Sequence, residues 1–83
     1  MKIYKLEQSK VSGYDTYDSC VVIAESEEEA KLISPSDREI KEKTDEYDSW
    51  VGKDNIDKIE VTYLGEAKEG SEKGVVCSSF NAG

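Results

Sequence analysis

Two polar clusters carry the side chains with the greatest scope for chemistry. The first, GYDTYDS from Gly13 to Ser19, places Tyr14 beside Asp15 and Tyr17 beside Asp18, a repeat at a spacing of three. The second, SSFNAG from Ser78 to Gly83, supplies Ser78, Ser79, Phe80 and Asn81. Tyr14, Tyr17 and Phe80 can stack on a planar ring, Asn81 can both donate and accept along the edge of a base, and Ser78 and Ser79 can donate to phosphate or ribose oxygens. An apolar run follows the first cluster and another precedes the second, so strands sharing one sheet would bring both clusters to one rim. The expected site is then Tyr14, Asp15, Tyr17, Asp18, Ser78, Ser79, Phe80 and Asn81. Each residue also has a plain structural role open to it: Phe80 in the core, the tyrosines on the sheet, Asn81 in a terminal turn.

Catalysis has little to work with. The chain has no histidine, which removes the commonest general base and the Ser-His and Cys-His nucleophile pairs. Asp15 and Asp18 would point to opposite faces of an extended strand, so an acid and base pair would require the segment to turn. DTYDS lacks the full ligand loop of a calcium site, and turn capping explains its aspartates better. Gly13 stands alone and makes no phosphate loop. The reading is a non-enzymatic binding protein with no cofactor and no metal.

Composition narrows the partners. The 83 residues carry 19 acidic and 11 basic side chains, a net charge of -8, with Arg38 the single arginine. Such a surface repels nucleic acid backbones, whose capture needs Lys and Arg. The plain reading of the charge is solubility; the sharper one is an acidic mimic that approaches a basic groove. MKIYKLEQSK has no signal-peptide core, and no run of about 18 apolar residues suits a membrane span, so a cytoplasmic location is expected. Cys20 and Cys77 are too few for a disulfide scaffold and lie in apolar runs, where burial as thiols is expected. One domain of this length sits near the lower limit of independent stability, which suggests a homo-oligomer.

The elements that would position the clusters follow from periodicity. Residues 2–8 alternate imperfectly and read as a strand; Ser9, Ser12 and Gly13 mark a turn; SCVVIA at 19–24 reads as a second strand covered on both faces. Ser26-Glu27-Glu28-Glu29 is a capping box opening a helix of about two turns that Pro35 ends by Ser34. Residues 35–49 read as a charged loop, expected to be mobile, around Ile40 and Tyr47. Trp50 and Val51 return the chain to the core, 56–64 forms a third strand, and 75–80 a fourth. The expected fold is α+β, in the order β-β-α-β-β: a mainly antiparallel sheet of about four strands with one short helix on a face, in a single domain spanning 1–83.

Taken together, MKIYKLEQ, GYDTYDSCVVIAESEEEA, the lone tryptophan, VTYLGEA and GVVCSSFNAG resemble a family of short proteins found in phages, prophages and bacteria. The resemblance spans most of the chain outside Pro35 to Ser49, with GYDTYDS and SSFNAG its most specific parts, and brings no established activity. It implies a counter-defence setting in the cytoplasm of a host cell, where small phage proteins act by stoichiometric binding. Within that setting a homo-oligomeric sponge for a nucleotide-type immune signal competes with an anti-CRISPR-like blocker of a defence nuclease. A host interaction module without a defence role is the third reading.

Overall fold

The computed structural model describes residues 1–36, 39–45 and 47–81. Strands β1 (Lys2–Glu7), β2 (Thr16–Ala24), β3 (Glu60–Glu66) and β4 (Gly74–Asn81) form one antiparallel sheet in the order β3-β1-β2-β4. Helix α1 (Glu27–Lys31) follows β2, and a 3-10 segment, Lys53–Lys58, precedes β3. The α+β architecture and the β-β-α-β-β order are those the sequence indicates. The 3-10 segment occupies the first residues assigned above to the third strand, which begins at Glu60.

Side-chain alternation decides which face of the sheet is covered. Tyr4, Leu6 and Gln8 of the first strand region, and Cys20, Val22 and Ala24 of β2, are buried on one face. Their alternates Ile3, Lys5, Glu7, Ser19, Val21 and Ile23 are half-buried on the other. SCVVIA is therefore not covered on both faces as expected: a chain this short supplies one layer of cover, not two. That layer consists of Ala30 from α1 with Trp50, Val51 and Ile59, and Ile33 and Ile40 pack against it. Leu6 and Val22 have no exposed surface, and burial of side chains of this size stabilises by about 1.5–3 kcal/mol each.

Local signals set the helix and the charged segment. Ser26 caps α1 and its Oγ accepts from the Glu29 amide at 3.3 Å. The Glu29 carboxylate reaches one residue further back than the capping box predicts, accepting from the Glu25 amide at 3.1 Å. At five residues, α1 is shorter than the two turns expected.

Among the described residues, the acidic stretch after Pro35 has neither helix nor strand. Its part around Thr44 is tied to the segment after Trp50. The Thr44 amide and Oγ1 donate to Asp54 Oδ1 at 2.8 and 2.7 Å, and Thr44 Oγ1 accepts from the Gly52 amide at 2.9 Å. Lys53 N donates to the Lys41 carbonyl at 2.8 Å. Gly52 is required by this close approach: a Cβ there would lie 2.8 Å from the Lys41 carbonyl oxygen and 2.9 Å from the Lys43 carbonyl carbon.

Candidate functional site

The turn between β1 and β2 is built around one buried amide. Gln8, 7% exposed, donates from Nε2 to the Val11 carbonyl at 2.9 Å and to the Tyr17 carbonyl at 2.7 Å, and its Oε1 accepts from the Val11 amide at 2.9 Å. Those bonds satisfy backbone groups that would otherwise be stranded away from water. The tip of the turn needs left-handed backbone at Gly13 (φ 104°) and Asp15 (φ 59°), conformations that Gly and, less readily, Asp adopt. Thr16 Oγ1 closes it by donating to the Gly13 carbonyl at 2.9 Å. The Asp15 amide then donates to the Asn81 carbonyl, which ties the first cluster to the second.

Beyond that link the two clusters run side by side. Thr16 lies opposite Asn81, Tyr17 opposite Phe80, and Ser19 opposite Ser79, with Asp18 the extra residue of a bulge. The Tyr17 and Phe80 rings are 4.7 Å apart between centroids and tilted by 53°, within the range of attractive aromatic pairs. Tyr17 N donates to the Ser49 carbonyl at 2.9 Å, so the covering layer is stitched to the sheet beside the ring. Asp15, Tyr17, Ser36, Ser49 and Phe80 line an open cleft of about 310 Å³.

The structure thus joins only part of the expected set. Asp15, Tyr17 and Phe80 share the cleft; Asn81 does not line it, and its carbonyl accepts from the amide of Asp15. Tyr14, 82% exposed, does not line it. Asp18 borders a different cleft, of about 300 Å³, with Glu7, Ser9, Ser19, Lys58 and Glu60. Ser78 and Ser79 are exposed on β4, opposite Cys20 and Ser19, and lie outside the cleft. Alternation sends Ser79 to the face opposite Phe80 and the bulge sets Asp18 apart, while Ser78 shares the face of Phe80 but lies two residues further along β4, opposite Cys20.

Ser36 and Ser49 were missed, as was Gln8. Both serines flank the charged segment, next to Pro35 and Trp50. Their positions at its two ends are the one sequence signal that the segment closes back on the sheet.

The cleft has one carboxylate, three hydroxyl-bearing side chains (Tyr17, Ser36 and Ser49) and two rings, one of them that of Tyr17, and among the described residues no basic side chain lines it. It can stack a planar group and accept hydrogen bonds from amino or hydroxyl donors. The two cysteines are free and differ sharply. Burial, with a smaller contribution from the charge of Cys77, pushes the Cys20 thiol up to about 12. Cys77 is exposed, contrary to the burial expected of it. It pairs with Val21, and Val21 points away from the face on which Cys20 is buried. Among the described residues, no group of three or more His, Cys, Asp or Glu side chains could hold a metal ion, and no helix is long and apolar enough to cross a membrane. Comparison with protein-family models, curated proteins and solved structures gave no match.

Proposed function

We propose that this chain is a small non-enzymatic binding protein of phage counter-defence type, which sequesters a nucleotide-derived signalling molecule as a homo-oligomer. The observation that carries the reading is the Tyr17–Phe80 ring pair at 4.7 Å, set in an open cleft with Asp15, Ser36 and Ser49. The base of the ligand stacks on these rings, while Asp15 accepts from a base amino group or a ribose hydroxyl. Asp15 and the net charge of -8 disfavour phosphate beside the cleft, so the ligand's phosphates face solvent. The counter-defence setting rests on the resemblance of GYDTYDS and SSFNAG to phage proteins.

The test is a thermal-shift panel of cyclic dinucleotides, cyclic trinucleotides and ADP-ribose derivatives, because a ligand that binds only the folded state raises its apparent stability. One nucleotide class is expected to raise the melting temperature, and Phe80→Ala to abolish the shift while leaving the circular dichroism spectrum unchanged. No shift with any of the panel, or a shift that survives both Phe80→Ala and Tyr17→Ala, refutes the assignment.

A second reading, an acidic protein that blocks the nucleic-acid groove of a defence nuclease, draws on the exposed acids Glu39, Glu42 and Asp45 and on Tyr47, which is 88% exposed. Replacing those acids with lysine is expected to abolish inhibition of a purified nuclease. Full inhibition by the lysine variant would dismiss that reading.

A further inference from the structure

The sheet ends in two outer strands, and they differ in what they offer to another chain. β3, EVTYLGE, carries Glu60 and Glu66 at its ends, so pairing it with itself would bring four carboxylates to one seam. β4, GVVCSSFN, has eight residues with no charged side chain and no proline. Charge and proline are common means by which outer strands are kept from pairing. On a protein of net charge -8, β4 is the outer strand along which two copies can meet without opposing like charges.

The backbone directions define how they meet. The Asn81 carbonyl faces β2, where it accepts from Asp15. Carbonyls alternate in direction along a strand, and in an antiparallel pair the amide and carbonyl of one residue face the same neighbour. The amides and carbonyls of Ser78 and Phe80 therefore face outward. Val21 pairs with Cys77 and Val22 with Val75, which makes Val76 a bulged residue and leaves Cys77 to Asn81 as the regular run. That run is centred on Ser79. All of its side chains are exposed.

We propose that β4 is a self-association edge, on which a second copy of this chain pairs its own β4 antiparallel about a two-fold axis through Ser79, continuing the sheet from one copy into the other. Opposed side chains in an antiparallel pair share a face, so the axis passes through a residue and not between two. In this register Ser78 of each copy exchanges amide and carbonyl hydrogen bonds with Phe80 of the other. The two Phe80 rings become diagonal neighbours on one face, roughly 7–8 Å apart between backbones. The two ring clefts then adjoin, and the assembly presents paired aromatic platforms suited to a ligand with two planar rings. The proposal deepens the homo-oligomer part of the reading above.

The test reads association alone, without ligand, so it can fail or succeed independently of nucleotide capture. Sedimentation of the full chain from 1 to 100 µM is expected to show a monomer–dimer equilibrium that shifts toward dimer between about 50 and 500 mM salt, as screening reduces the repulsion of two acidic copies. A monomer at every concentration and salt overturns the proposal. Ser79→Glu places like charges face to face at the axis and is expected to weaken the dimer by up to about fivefold, with an unchanged circular dichroism spectrum. A dimer that persists unweakened in Ser79→Glu locates association elsewhere and overturns it. Should that variant misfold, Ser79→Cys in a Cys77→Ser background serves. Directly opposed Cα atoms lie about 4.5–5.5 Å apart, within the span of a disulfide. Diamide is then expected to give a covalent dimer, and absence of that dimer is equally fatal.

Discussion

Gln8 should be the most sensitive polar position in the protein. Replacing it with Met keeps a similar length of side chain but leaves the Val11 amide, the Val11 carbonyl and the Tyr17 carbonyl without the partners they have at 2.9, 2.9 and 2.7 Å. At about 1 kcal/mol for each bond lost, the cost is about 3 kcal/mol. A total stability of 0.05–0.15 kcal/mol per residue gives about 4–12 kcal/mol for this length, so the loss is a large fraction of the whole. The melting temperature should fall by about 12–24 °C and the urea midpoint by about 1–3 M. Trp50 is the only tryptophan and is 5% exposed, so its fluorescence reports unfolding directly. A change below about 1 kcal/mol would show that water replaces the amide, and would refute the claim that Gln8 builds the turn. Because Gln8 holds the Tyr17 carbonyl, Gln8→Met should also loosen the Tyr17–Phe80 ring pair.

Three other outcomes follow from the same geometry. Gly52→Ala forces a methyl to 2.8 Å from the Lys41 carbonyl oxygen and should cost about 1–3 kcal/mol; urea unfolding that matches the native chain would contradict the close approach. Asp48 is held below the usual carboxylate value by a hydrogen bond from Lys41, and Asp54 by one from Thr44. Their folded values lie below their unfolded ones, so their contribution is present above about pH 4 and is lost as pH falls further. The protection of the Thr44 and Gly52 amides, relative to the intrinsic exchange rate at each pH, should accordingly fall below that pH, and protection that stays flat would refute it. In native protein Cys77 should react with a thiol reagent while Cys20, buried and pushed up to about 12, reacts only on unfolding; two equal fast phases would contradict the placement of Cys20.

Local chemistry was legible where a residue's role depends on its immediate neighbours. The Ser26 cap, the strand periods, the turn at Gly13 and the burial of Trp50 could all be read from residue types, because capping, alternation and the size of an indole act over a few positions. The pairing of β2 with β4 was expected only as a condition of a shared rim, yet it is what sets Tyr17 against Phe80. Ser36 and Ser49 escaped notice because nothing in their own neighbourhood marks them; a fold-back across the sheet brings them to the cleft.

By itself the sequence determined the α+β class, the β-β-α-β-β order and an acidic surface without histidine chemistry. Tertiary structure alone decided that Asp18 and Tyr14 leave the cleft, that Gln8 is buried, that Cys20 and Cys77 part company, and that β4 ends the sheet. The reason is geometric. Propensity and charge belong to residues, whereas register, bulges and the single covering layer arise from contacts between segments distant in the chain, and a shift of one residue in pairing changes the face on which every later side chain lies.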